Sequence, residues 1–177
     1  MKAPASLQEL FDREAIRELL FLYCRAVDRR DFALLATLCH DEAIDDHTPY
    51  FCGPARDFLA ALPGIMAANR ITSHQITNTL IALDGDRAEG EIHTLAYHLM
   101  DTDAGPVDIL VGGRYLDRYV RHGGRWLFMY RKIVLDWSAR EPSRFDLDAA
   151  RAAGAVLGAS GADDPSYAYF RLFPRGG

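Results

Sequence analysis

After Arg70 the chain changes its periodicity, and that change limits the possible fold more than any other feature. Apolar and polar residues alternate through four long stretches, Ile71 to Leu83, Arg87 to Met100, Val107 to Val120 and Arg125 to Trp137. A period of two marks strands with one face buried. Asp84-Gly85-Asp86 and His122-Gly123-Gly124 are hairpin turn sequences, and residues 101–106 form a loop. Four strands in hairpin succession make an antiparallel meander. Strands this long bend, and Gly112-Gly113 is the predicted bend or bulge.

Before Arg70 the pattern is helical. Ile16, Leu19, Leu20, Tyr23, Cys24 and Val27 fall at the spacing of one apolar helix face, within a helix expected over about 10–30. Asp31 has N-cap chemistry for a short second helix carrying Leu34, Leu35 and Leu38. His40 to Cys52 reads as polar and irregular, with one or two short extended pieces. A third helix is expected over 55–69, interrupted at Pro63-Gly64. Helices first and strands afterwards imply an α+β fold. The expected form is a cone-shaped α+β barrel, its curved antiparallel sheet wrapped by the N-terminal helices around one pocket. The expected organisation is a flexible arm over 1–9, one domain over 10–137 and a tail over 138–177. A short helix over 146–157, a turn at Asp164-Pro165-Ser166-Tyr167 and the aromatics Tyr167, Tyr169, Phe170 and Phe173 predict that the tail docks on the domain or on a neighbouring subunit.

Composition narrows the function classes. A net charge of -5 supplies no basic field for nucleic acid or anionic membrane. No window approaches about 18 uninterrupted apolar residues, and residues 1–15 lack the apolar core of a secretory signal. Cys24, Cys39 and Cys52 are odd in number and unevenly spaced, so they read as buried thiols in a reducing, cytoplasmic compartment. The acidic stretch His40, Asp41, Asp45, Asp46 and His47 lacks metal-ligand spacing and reads as a solvated face, and no metal site is expected. There is no phosphate loop, GxGxxG or GxSxG.

The residues able to carry chemistry sit on apolar faces. Asp28 lies four residues after Cys24, near the apolar stripe, at a helix end where an anion is disfavoured. It is either a solvated end held by Arg29 or Arg30, or it points inward and holds a histidine. His74 shares a strand face with Ile76, Asn78 and Leu80, as a core histidine or as a base. A carboxylate on one ring nitrogen would fix the tautomer and leave the other nitrogen to accept a proton. His98 with Ala96 is the preferred pocket-facing set of the next strand. Arg131 shares a face with Leu127, Met129, Ile133 and Leu135, and an arginine among aliphatics needs a partner. That partner is a carboxylate, as a structural ion pair or in the pocket, or an anionic substrate. Tyr23 is a proton donor or a member of the core.

The segments YCRAVDRRD, ITSHQITN, GEIHTLAYH, GGRYLDRYVR and GGRWLFMYRKIVLDW, with a late DPSY, together resemble the SnoaL-like branch of the nuclear transport factor 2-like superfamily. Its enzymes include scytalone dehydratase, hexachlorocyclohexane dehydrochlorinase and bile-acid dehydratase. The resemblance implies that Asp28 and His74 form an elimination dyad and that Tyr23 is the dehydratase tyrosine. It implies further that Arg131 is an active-site arginine and that His98 stands near the second pocket histidine or aspartate. Tyr50 is the candidate for a second, water-binding tyrosine. Asn78 has no clear catalytic counterpart and is carried, with Ala96, as a substrate contact. The resemblance also implies no cofactor and a homo-oligomer, a trimer in particular.

The expected activity is that of a cofactor-free lyase of dehydratase or dehydrohalogenase type, acting on a small hydrophobic, cyclic substrate. An isomerase of the ketosteroid type would use the same base. A ligand-binding module or a subunit like the small subunit of a ring-hydroxylating dioxygenase would not need the dyad.

Overall fold

The computed structural model describes residues 6–173. The first five residues of the expected arm and the last four of the tail lie outside them. Helix α1 spans Leu7–Asp28, three residues earlier than its apolar stripe predicts, because Ser6 caps it by accepting from the Glu9 N–H. Helix α2 spans Phe32–Thr37 behind the predicted Asp31 cap, whose carboxylate accepts from the Leu34 N–H at 2.9 Å. Strands β1 (Cys39–His47) and β2 (Phe51–Pro54) precede α3 (Ala55–Ile65). The long strands are β3 (Asn69–Asp84), β4 (Arg87–Met100), β5 (Val107–His122) and β6 (Arg125–Pro142). Short helices α4 (Leu147–Ala152) and α5 (Pro165–Tyr169) follow.

One six-stranded sheet has the order β2-β1-β6-β5-β4-β3. The meander β3 to β6 is antiparallel as expected, but the sheet is mixed, because β1 joins β6 in parallel. The stretch read as irregular with one or two short extended pieces therefore holds two strands, of which β1, at nine residues, is longer than expected. Its Asp45 and Asp46 are buried, not solvated. Asp46 accepts from Tyr130 Oη at 3.0 Å and Lys132 Nζ at 2.9 Å, while Asp45 takes the other face. Cys24 is buried, but Cys52 is exposed on β2, and all three thiols are free.

The core lies between α1 and the concave face of the sheet. Ile16, Leu20 and Tyr23 of α1 meet Ile92, Tyr115 and Phe128 from the strands. Each such side chain contributes roughly 1.5–3 kcal/mol when fully buried.

Three irregularities decide which residues face inward. The Gly112-Gly113 bulge falls where the sequence predicts it. A Cβ on Gly112 would run into the Trp137 ring, and one on Gly113 would stand 2.5 Å from the Val134 carbonyl. A second register shift lies between Ile76 and Thr79 of β3. Past it the inward set becomes buried Ile81 and half-buried Leu83, while Leu80 is exposed, so the face expected to run from His74 through Asn78 to Leu80 does not persist. The third leaves Met129 unpaired between Phe128 and Tyr130. The inward set of β6 is therefore Trp126 and Phe128 before the bulge and Arg131 and Ile133 after it, not Leu127 and Met129.

The tail docks on its own chain, at the C-terminal end of α1. Asp164 accepts from Arg29 Nε at 3.2 Å, and Tyr167 Oη donates to Asp31 at 3.0 Å.

Candidate active site

The end of α1 sets the site. Arg30 adopts a left-handed backbone (φ 57°), letting its N–H reach the Val27 carbonyl and the Asp31 N–H reach the Ala26 carbonyl. This pair of bonds closes a helix in the Schellman manner, usually with glycine. Arg30 holds the position by donating from Nη2 to the Asn69 carbonyl at 2.9 Å. The helix thus stops with Asp28 as its last residue, beside β3.

Both Asp28 oxygens engage one residue of β3. The His74 N–H donates to Oδ2 at 2.8 Å, and ring Nδ1 lies 2.7 Å from Oδ1. The side chains are only 15% and 12% exposed. A carboxylate only accepts hydrogen bonds, so Nδ1 carries the proton and Nε2 is left as the free acceptor of the ring. Of the two readings open for Asp28, the inward one is what the fold adopts.

His74 lines a cavity of about 550 Å³. Its apolar wall comes from Phe51 of β2 and Phe58, Leu62 and Ile65 of α3. Tyr23, His47, Asn69, His74, His98 and Tyr115, with Tyr50 at the rim, supply the polar groups. His98 meets His74 edge-on, with ring centroids 5.4 Å apart. Burial, with the neighbouring His74, pushes the His98 imidazole down to about 4, so it is neutral near pH 7. Burial raises the Tyr23 phenol well above its ordinary value, an effect the Arg131 charge only partly offsets, so Tyr23 remains a hydrogen-bond donor.

Arg131 does not stand in the cavity wall. It donates from Nε and Nη2 to the two Asp117 oxygens at 2.8 and 2.7 Å, in a pair with 3% and 0% exposure. Its guanidinium carbon lies 4.1 Å from the Tyr23 ring centroid and 4.0 Å from that of Tyr115. Burial alone would lower its pKa, but the Asp117 charge and hydrogen bonds outweigh that and raise it. The arginine is the ion-paired floor beneath two cavity tyrosines, the structural alternative left open by its sequence.

The other expected contacts divide. Tyr50 stands at the cavity edge but is 92% exposed, so it belongs to the rim. Ala96 is buried opposite His74 in the β3–β4 ladder and is not part of the wall. Asn78 is exposed at the β3 bulge and does not reach the cavity, because the register shift turns it away. Sequence reasoning missed His47, Asp45, Tyr115 and Phe58. The available signal was the alternation Ala43, Asp45, His47, which places three residues on one strand face. Among the described residues, no group of three or more His, Cys, Asp or Glu side chains is arranged to hold a metal ion. No helix among them is long and apolar enough to cross a membrane.

The SnoaL-like domain model matches residues 8–132. A protein of Kribbella flavida superposes with a TM-score of 0.68 and 27% identity over 73% of this chain and 94% of that one. A candidate scytalone dehydratase from Novosphingobium aromaticivorans gives 0.68 and 26% over 76% of this chain and 91% of that one. A hexachlorocyclohexane dehydrochlorinase, LinA type 2, gives 0.71 and 21% over 79% and 95%, a likeness of fold alone. No curated protein matches the chain.

Proposed function

The chain belongs to the SnoaL-like domain family, and from that premise we propose that it is a cofactor-independent lyase of dehydratase or dehydrohalogenase type. The observation that carries the proposal is the Asp28–His74 pair at the edge of a largely apolar cavity. His74 Nε2 is the base that removes a proton from substrate carbon, and Asp28 holds its tautomer and direction. Such general base help contributes about 10²–10⁴-fold, and exclusion of water by the cavity strengthens it. Tyr23, kept protonated by burial, donates a hydrogen bond to the substrate, and neutral His98 flanks the base. Arg131 acts behind Tyr23, by holding its ring and by the field of its charge. The apolar wall and the size of the cavity favour a small hydrophobic ring compound. By the same family premise the protein assembles as a homo-oligomer, a trimer in particular, which light scattering on the eluted protein would read.

The test is a mass-spectrometric screen of small cyclic β-hydroxy carbonyl compounds and polychlorinated cyclohexanes. The expected product has lost water or hydrogen chloride, and His74→Ala abolishes its formation while leaving the circular dichroism unchanged. A product of unchanged mass means isomerisation by the same base. Turnover that survives His74→Ala refutes the proposal.

A further inference from the structure

The cavity holds a second imidazole backed by a carboxylate. Asp45 and His47 are residues i and i+2 of β1, on one strand face. His47 Nδ1 lies 2.5 Å from Asp45 Oδ1. Both atoms are buried, and the approach is an ion-pair contact outside hydrogen-bond geometry, so neither atom has a hydrogen-bond partner among the described residues. The His47 ring stacks on Phe58 of α3, with centroids 4.3 Å apart and planes 19° apart, which fixes its plane. With Nδ1 toward Asp45, Nε2 is the nitrogen available to a ligand. This sets a second imidazole beside a carboxylate, built from different elements and without the two hydrogen bonds that tie His74 to Asp28.

The topology sets the two devices opposite each other. The sheet order places β6, β5 and β4 between β1 and β3. Four strand spacings amount to roughly 19 Å along the sheet. Both rings nevertheless line one cavity, so the curl of the sheet brings its two sides to face each other across the ligand space. The other titratable groups around that space are Tyr23 of α1, Tyr50 at the rim after β1, Tyr115 of β5 and His98 of β4, with Arg131 of β6 beneath Tyr23 and Tyr115. His47 is the wetter imidazole, 26% exposed against 12% for His74.

We propose that His47 is the catalytic acid opposite His74, protonating an oxygen leaving group, and that Asp45 is its positioning residue. This rests on the elimination reading above and narrows its substrate class. A departing chloride needs no proton, whereas a departing hydroxyl does. The preferred substrate is therefore one that loses water, such as a cyclic β-hydroxy carbonyl compound. In the step, His74 Nε2 takes the proton from carbon and the C–H electrons become the new C=C bond. The C–O bond breaks with its pair on oxygen, and the His47 Nε2–H proton completes water. His74 is left as imidazolium and His47 neutral, and exchange with solvent restores both.

The experiment uses the full chain with 4-nitrophenol, a small ring with an ionisable oxygen whose absorbance separates phenol from phenolate. A cationic His47 facing the bound oxygen raises the ionisation constant of the bound probe about tenfold or more. His47→Gln is expected to remove that increase and His74→Ala to retain it. The ring ¹⁵N resonances of His47 in the unsubstituted protein should also move on addition of the probe, which tests the contact even where a variant folds poorly. Asp45→Asn should shift the His47 tautomer signals as well as the probe response. The proposal is overturned if the unsubstituted chain leaves the ionisation of the probe unchanged, if His47→Gln keeps the increase, or if the His47 resonances stay still. Failure of the base reading shows elsewhere, as turnover retained by His74→Ala.

Discussion

Replacing Asp117 by Asn should destabilise the protein by about 3 kcal/mol, through Arg131 more than through Asp117 itself. The carboxylate is fully buried and accepts two hydrogen bonds from Arg131 and one, at 2.8 Å, from Tyr119 Oη. Asn keeps one acceptor oxygen and presents an amide donor to the guanidinium in place of the other. Removing one partner of a buried pair costs about 3–5 kcal/mol, because the remaining charge is uncompensated. Here the charge still meets the faces of Tyr23, Tyr115 and Phe128, at 4.1, 4.0 and 4.3 Å, which offsets part of the loss. The lower end of the range is therefore expected. For a domain of this size each kcal/mol moves Tm by about 2–4 °C, so the loss is roughly 6–12 °C. Differential scanning calorimetry reads it directly. The double variant Asp117→Leu with Arg131→Met should recover most of the loss, since apolar replacement of a whole buried pair is often neutral or better. A single-variant shift under about 2 °C, or a double variant no better than the single, would refute the reasoning.

Three further outcomes are expected. Asp28→Asn should cut turnover by about 10²–10⁴-fold with little change in KM, because it loosens the tautomer and aim of His74 and not the cavity; an equal loss in kcat/KM arising from KM alone would contradict this. His98, half-buried and with its pKa pushed down to about 4 against 6.5 for the free side chain, makes the unfolded chain the greater proton binder between those values. Its contribution is full above about pH 6.5 and is lost as the pH falls toward 4, on the order of 2 kcal/mol after allowance for its partial exposure; His98→Asn should flatten that limb of a urea-melt series. Gly113→Ala places a Cβ 2.5 Å from the Val134 carbonyl oxygen, a backbone atom that cannot swing aside, and should lower stability by about 1–3 kcal/mol by chemical denaturation.

What the sequence determined by itself is what depends on neighbours a few residues away. The stripe from Ile16 to Val27, the Asp31 cap, the hairpin turns and the four alternating runs are local patterns, and each element forms within a few residues of its expected bounds, β4 over Arg87–Met100 without change. Asp28 and His74 were legible as polar residues misplaced on apolar faces, which have to find partners. Tertiary structure decided the rest. Alternation predicts a face only until a bulge inserts a residue, and whether one forms depends on the partner strand; hence Asn78 and Met129 were assigned to the wrong faces. Arg131 carried no mark saying which carboxylate would meet it, since Asp117 reaches it only through the β5–β6 register. The parallel seat of β1 beside β6 is a contact between residues more than 80 positions apart. That seat, with the antiparallel pairing of β1 to β2, turns an acidic, irregular-looking stretch into a strand and delivers Asp45 and His47 to the cavity.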